Sequence, residues 1–184
     1  KMCVERSAFP QRIAYQHYGN CGELQDMNMA LGRLSLIPSA GVGGIAEDHV
    51  WNEYYLKDRW VEFQVSWSDS ETMIAWPGNR QDKDHGGGKD LSTVYRTRPD
   101  GKWENVTERY SETFTLHLAV KDENGEPVEG AEVLLASETW YDTDELTYAL
   151  LTHTDHNGDA TVLLGDHQNF YLRVASQEIT WPAE

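Results

Sequence analysis

The apolar residues that follow Gly19-Asn20 recur at the three- to four-residue spacing of a helix with one buried face. They are Leu24, Met27, Leu31 and Leu34. The residues from Glu23 onwards are good helix formers. The pattern predicts a helix that continues to about Leu36, because Ile37-Pro38 disfavours helical backbone.

Residues 49–67 have the β-branched and aromatic content of strands. The run V-W-N-E-Y-Y-L is followed by Lys57-Asp58 and then by R-W-V-E-F-Q-V, which predicts a hairpin with a tight turn. His49 lies near the start of its first strand. Residues 91–110 contain two more strand-like runs around R-P-D-G, a turn signature that predicts a further strand pair.

From Glu112 onwards the sequence becomes alternating and β-rich. In T-F-T-L-H-L-A-V, strict alternation predicts a buried face and leaves His117 on the exposed one. The residues expected on the buried face are Phe114, Leu116, Leu118 and Val120. Asn124-Gly125 and Asn157-Gly158 are hairpin turn signals. About six or seven short strands with such turns predict a small β-sandwich.

These patterns predict two domains. Residues 1–111 are expected to form an α+β domain in which a helix packs on an antiparallel sheet, and residues 112–184 an all-β sandwich like that of immunoglobulins. A chain of 184 residues is long enough to bury a core in each.

The formal net charge of −16 restricts the partners. It argues against nucleic acid, whose binding depends on Lys and Arg that neutralise phosphates, and against anionic membrane surfaces. A solvated acidic surface is favoured over cationic ligands or divalent ions. The sequence contains no apolar run long enough to span a bilayer and no signal peptide. Because it begins at Lys1, we interpret the chain as a fragment of a longer protein, so the missing signal does not indicate a compartment.

The chain has two cysteines, Cys3 and Cys21. A disulfide between them would block Cys21, but the setting of Cys21 favours a reactive thiol. Turn and cap residues precede it and place it at a helix N-terminus, where partial positive charge and unpaired N–H groups favour a thiolate. His49 on a strand facing this helix end would take the thiol proton and later return it to the leaving group.

Four motifs follow one another over residues 14–67, namely G-N-C-G-E, L-I-P-S, D-H-V-W-N-E-Y-Y-L and R-W-V-E-F. In this order they resemble the core of the transglutaminase-like superfamily. The resemblance implies that Cys21 is a nucleophile on a helix N-terminus and that His49 is its partner on a strand. It also implies a third polar residue, usually Asp, on the next strand.

The third position departs from the family pattern. W-V-x-x-D typically ends in the acid, whereas R-W-V-E-F-Q places Gln64 there. A Gln carbonyl can accept the imidazole N–H and hold its tautomer, but it has no charge to stabilise an imidazolium. Asp69 is an alternative if the strand bends, and Asp48 points to the face opposite His49. The predicted triad is Cys21, His49 and Gln64.

The motifs D-x-N-G-x-P-V-x-G-A-x-V-x-L, T-D-x-N-G-x-A and F-Y-L-R-V occur in this order over residues 113–174. They resemble the carboxypeptidase regulatory-like or Cna-B-like modules of bacteria, which are immunoglobulin-type. The resemblance implies a spacer or binding module of secreted and surface proteins, with no catalysis of its own.

Three residues are predicted to contact the substrate. Tyr18 and Asn20 precede Cys21 closely enough to help line an oxyanion pocket with the Cys21 N–H. Trp51 lies two residues after His49 and is predicted to form a wall of the cleft, with a position in the core as an equal alternative.

We predict no metal site and no cofactor. Asp155, Asn157 and Asp159 loosely resemble a calcium loop but lack the closing Glu, so a β-turn is favoured. His153 and His156 flank Asp155, but no Cys or further His is nearby to complete a zinc site.

Together with the residues around Cys21, the two resemblances imply a cysteine-dependent hydrolase or acyltransferase of the bacterial cell envelope or exterior. Its expected substrates are peptide, protein or peptidoglycan-type amides, and hydrolysis is favoured over cross-linking. Because Gln64 replaces the usual acid, the alternative is a catalytically inactive binding or scaffold protein. Glycan binding through exposed Trp residues is a third possibility. The oligomeric state stays open.

Overall fold

The computed structural model describes residues 9–16, 19–44, 46, 49–64, 73–74, 91–98, 100–138, 145–166, 168–176 and 180–181. These residues belong to two compact units. The first contains the described residues within 1–43, 49–79 and 95–104, and the second those within 44–48, 80–94 and 105–184. Both units contain antiparallel strands, and the first unit also contains two helices. This agrees with the predicted α+β class. The domain boundary between residues 111 and 112 stays a prediction.

The first unit consists of two helices and most of a six-stranded sheet. The helices are α1 (Pro10–Gln16) and α2 (Cys21–Leu34). The strands are β1 (Ser39–Gly44), β2 (His49–Leu56), β3 (Arg59–Gln64), β4 (Met73–Ile74), β5 (Tyr95–Thr97) and β6 (Trp103–Asn105). Their order in the sheet is β4-β3-β2-β1-β5-β6. The central position of β2 and β1 makes them the surface on which α2 packs.

The N-terminus of α2 confirms the predicted helix start at Cys21, but the predicted buried stripe is wrong in its C-terminal half. Leu31 and Leu34 are 49% and 81% exposed, whereas Asn28 and Gly32 are buried. A Cβ at Gly32 would lie 2.8 Å from Ser39 Cβ and 2.9 Å from the Tyr54 ring. The helix therefore approaches the sheet too closely for leucine, and it presents small and polar residues to it. No helix in the part of the chain that the structure describes could span a membrane.

The hairpin of β2 and β3 is confirmed. The two strands pair antiparallel, with Leu56 opposite Arg59. The two turn residues, Lys57 and Asp58, have φ angles of 49° and 63°. Two consecutive positive φ angles are typical of the type I′ turn, whose twist matches that of the flanking strands.

The second unit consists of two sheets and a short 3₁₀ helix (Thr107–Arg109). One sheet pairs β7 (Thr113–Ala119) with β10 (Asp159–Gly165). The other has the order β12-β11-β8-β9, from β8 (Glu132–Glu138), β9 (Leu146–His153), β11 (Phe170–Ala175) and β12 (Thr180–Trp181). The buried centre contains Leu135, Val162 and Leu164, with Leu116, Leu150, Phe170 and Leu172 packed against it.

The alternation predicted for β7 holds in part. His117 is exposed as predicted, and Leu116, Leu118 and Val120 are half-buried. Phe114 remains 38% exposed because it lies beside Phe170 at the margin of the core, with ring centroids 6.0 Å apart.

Both predicted turn glycines have positive φ, 86° at Gly125 and 75° at Gly158. A Cβ at Gly158 would lie 2.5 Å from the Val120 carbonyl oxygen, so the chain passes too close for a side chain. In the same turn, Asp155 Oδ1 accepts the N–H groups of Asn157 and Asp159 at 2.8 and 3.0 Å. These contacts lower the pKa of the Asp155 carboxyl, with the Asp159 N–H as the largest cause. Asp155 thus acts as a turn residue.

Candidate functional site

Cys21 is the first residue of α2, and a capping box fixes that position. Asn20 Oδ1 accepts the Glu23 N–H at 2.9 Å, and the Asn20 N–H donates to Glu23 Oε2 at 2.8 Å. This reciprocal pair is the usual way to satisfy two backbone donors at a helix start. Cys21 therefore lies where the partial positive charge of the helix dipole is greatest.

The side of α2 that carries Cys21 is the side that faces the sheet. Residues four, seven and eleven positions after Cys21 are Gln25, Asn28 and Gly32, which share one face of a helix. All three contact β1 or β2. The Cys21 thiol is free and half-buried.

Hydrogen bonds fasten α2 to the two central strands. Gln25 Nε2 donates to the Val42 carbonyl at 2.7 Å and also to the Trp51 carbonyl. In return, Asn52 Nδ2 donates to the Gln25 backbone carbonyl at 3.0 Å. The contact between helix and sheet is therefore polar where α2 begins.

A second bond lies one turn further along, where Tyr54 Oη donates to the Asn28 carbonyl at 2.9 Å. Later residues of α2 thus contact later residues of β2, so the helix and the strand run in the same direction. One turn back from Gln25 is about 6 Å along the helix, and two residues back from Trp51 is about 6.6 Å along the strand. These steps lead to Cys21 and His49, so the two residues lie at the same end of the α2–β2 contact.

The residues of β2 alternate between the two faces of the sheet. Asn52 and Tyr54 point towards α2, since their side chains bond to it. Trp51 and Glu53 occupy the opposite face. His49 belongs with Trp51, because their rings stack with centroids 5.7 Å apart and an interplanar angle of 20°. The imidazole is half-buried at the first position of the strand.

Gln64 is the last residue of β3. Asn52 pairs with Phe63, so the backbone of Gln64 follows at the level of Trp51, one step from His49 along that face. The side chain of Gln64 lies outside the described residues, as do Tyr18, Asp48 and Asp69. The roles proposed for Cys21, His49, Gln64, Tyr18, Asn20 and Trp51 stay predictions.

An ion cluster, buried at Arg96 and Glu53, lies on the Trp51 face and was missed by sequence reasoning. Arg96 in β5 donates to Glu53 at 3.1 Å and to Glu104 at 2.7 Å. Its guanidinium also lies 4.3 Å from the ring centroid of Trp60. Burial tends to lower the pKa of Arg96, but the hydrogen bonds and charges of Glu104 and Glu53 outweigh burial and raise that pKa. Glu53 is fully buried, and the Trp60 ring lies against the Arg96 guanidinium.

The described residues contain no group of three or more His, Cys, Asp or Glu side chains able to hold a metal ion.

Residues 4–65 match the family model of the transglutaminase-like superfamily. The match covers about a third of the chain, contains Cys21, His49 and Gln64, and confirms the resemblance read from the motifs of this segment. It suggests cysteine-dependent acyltransferase or protease activity. The resemblance of residues 113–174 to immunoglobulin-type modules has no family match. No curated protein matches the chain significantly, and neither does any solved structure.

Proposed function

We propose that the first unit is a cysteine hydrolase or acyltransferase that acts on amide or peptide bonds. One observation carries the proposal: within the matched segment, Cys21 begins a capped helix that packs on the strand begun by His49. The matching contacts along α2 and β2 support the pairing, because they lead to these two residues at one end.

In the proposed reaction, the Cys21 sulfur attacks the carbonyl carbon of the substrate while His49 takes the thiol proton. The tetrahedral intermediate collapses, the C–N bond breaks, and His49 returns the proton to the leaving amine. A water or an amine then attacks the thioester, which frees Cys21. Hydrolysis is favoured over cross-linking.

The negative oxygen of the intermediate would be stabilised at the start of α2. The Cys21 N–H is one donor. The capping box uses the Oδ1 and the backbone N–H of Asn20, so Asn20 would contribute its Nδ2 group. Tyr18 would line the same pocket. Trp51 is 2% exposed, and its part would be to hold the imidazole by stacking rather than to offer surface to a substrate.

The third role falls to Gln64, whose side-chain carbonyl would accept the imidazole N–H. Since α2 covers the other face of β2, His49 would reach Cys21 around the first residue of the strand. The decisive measurement is therefore one that detects an interaction between Cys21 and His49.

The test is the rate of Cys21 alkylation by iodoacetamide as a function of pH, in a Cys3→Ser background. We compare the parent with His49→Ala, and with His117→Ala as the control for loss of an exposed imidazole. The proposal predicts alkylation well below the pH typical of a free thiol, with a midpoint that rises in His49→Ala and stays in place in His117→Ala. An ordinary or unreactive thiol that ignores His49 would overturn it.

The second candidate function is a binding or scaffold protein that has kept the fold and lost activity. Gln64 in place of the usual Asp favours it. In that case Cys21 would be an ordinary thiol, and Gln64→Asp would not make its alkylation depend on His49.

For the rest of the chain, we propose an immunoglobulin-like sandwich over residues 112–184 that serves as a spacer or binding module. We also propose a secreted or cell-envelope location and a peptide, protein or peptidoglycan-type substrate. The motifs of residues 113–174 and the buried strands of the second unit support the sandwich. Expressing residues 112–184 alone and recording a cooperative unfolding transition would test its independence.

A further inference from the structure

We propose that Gln25 is a positioning residue that sets the place of Cys21 relative to β2. The inference rests on the proposed function, because it concerns how the same Cys–His pair is held. Gln25 is one helical turn after Cys21 and on the same face of α2.

A single side-chain amide joins three elements. Gln25 Nε2 donates to the Val42 carbonyl of β1 at 2.7 Å and to the Trp51 carbonyl of β2. An –NH₂ group has two hydrogens, so one Gln can serve both acceptors. Because Trp51 also stacks on His49, the strand position fixed by Gln25 is the one beside the imidazole.

The surroundings of Gln25 leave room for this side chain and hold its backbone. A Cβ at Gly41 would lie 3.0 Å from Gln25 Cδ and 3.0 Å from its Oε1, so a larger residue there would displace the amide. The Asn52 side chain meanwhile holds the Gln25 carbonyl at 3.0 Å. Side chain and backbone of Gln25 are thus both tied to the sheet, within one turn of the thiol.

Substitutions of Gln25 can separate the effect of the N–H donor from those of side-chain length and charge. Gln25→Met keeps the length of the side chain and adds no charge, but it has no N–H to donate. Gln25→Asn keeps the amide but is shorter by one methylene. Gln25→Glu is a poorer probe, because its charge would itself act on a nearby thiolate.

Tyr54→Phe is the matched control. It removes a different hydrogen bond between β2 and α2, the one from Tyr54 Oη to the Asn28 carbonyl, which lies about two turns from Cys21. A general loosening of α2 would affect both variants alike. A local effect on Cys21 would appear in Gln25→Met alone.

The experiment measures the pH profile of Cys21 alkylation in the Cys3→Ser background for the parent, Gln25→Met, Tyr54→Phe and His49→Ala, and for Gln25→Met combined with His49→Ala. We expect Gln25→Met to slow alkylation at pH 6 by about tenfold, because a thiol displaced from the imidazolium would have a higher pKa and a smaller thiolate fraction, and Tyr54→Phe to leave the profile in place. The effect of Gln25→Met should vanish once His49 is removed. Thermal unfolding verifies that each variant is folded.

The outcomes separate the inference from the proposed function. If the parent profile depends on His49 but Gln25→Met matches the parent, the positioning role is overturned and the proposed function stands. Equal shifts in Gln25→Met and Tyr54→Phe would likewise overturn it, since they would indicate general destabilisation. A parent profile that ignores His49 overturns both.

Discussion

In the first unit, α2 meets its sheet through Gln25, Asn28 and Gly32, whereas the centre of the second unit contains Leu135 and its apolar neighbours. Hydrogen bonds and the ion cluster of Arg96 connect elements of the first unit. Apolar side chains form the centre of the second. The first kind of contact is directional and costly to break, because a buried group that loses its partner keeps the cost of leaving water. The second kind is tolerant in direction and sensitive to volume.

The largest expected effect is in the ion cluster of the first unit. Arg96→Met keeps the aliphatic stem but leaves the fully buried Glu53 without the guanidinium. Breaking a buried ion pair in this way costs about 3–5 kcal/mol of unfolding free energy, measurable by urea denaturation. Arg98→Met is the control, because the Arg98 side chain is 52% exposed and its pair with Asp100 should contribute less than about 1 kcal/mol. Equal losses of unfolding free energy in the two variants would contradict the expected difference between a buried and an exposed ion pair.

In the second unit, Leu135→Ala should cost about 2–5 kcal/mol, because Leu135 is 1% exposed at the centre of the apolar cluster. Leu151→Ala in the neighbouring strand is the matched control. Leu151 is 57% exposed, so its loss should stay within about 0.5 kcal/mol. Similar losses for the two leucines would show that the unit is not organised around this cluster.

A smaller effect is expected at high pH in the first unit. Burial raises the pKa of Tyr95 from 10.0 to about 12. The unfolded chain therefore ionises this phenol first. The stability that neutral Tyr95 provides is complete below pH 10 and is lost as the pH rises to about 12.

Tyr95→Phe cannot ionise, so its unfolding free energy should fall less than that of the parent between pH 10 and 12. Denaturant unfolding across this interval gives the difference. Tyr148→Phe, at a side chain that is 65% exposed, should keep the parent slope. If Tyr95→Phe also keeps it, burial of this phenol does not govern alkaline stability.

The local elements of both units could be predicted from the sequence because their signals are local. The cap at Asn20, the Lys57-Asp58 turn and the turn at Gly158 each reflect the conformational preference of a few adjacent residues. The exposed position of His117 follows from alternation alone. The face of α2 could not be predicted in the same way, since the hydrophobic pattern assumes an apolar partner.

The candidate site shows the same division. Cys21 and His49 are conspicuous by residue type and local setting. Gln25 was missed because its role depends on carbonyls of two strands that are distant in sequence. The signals that could have found it are a Gln one turn after the cysteine and a Gly at position 41. The pairing of Arg96 with Glu53 spans 43 residues and had no local signal.

The contacts of Gln25 and Gly32 fit one position of α2 on the sheet. If the helix slid by one residue, it would move about 1.5 Å along its axis and rotate by about 100°. The amide of Gln25 would then point away from both of its acceptors, and Gly32 would no longer lie under the Tyr54 ring. An apolar surface would allow intermediate positions, because burial has no direction. Sliding of α2 along its axis and rotation about it are thus restricted together. The Cys21 thiol at the start of the helix therefore keeps one position relative to the sheet.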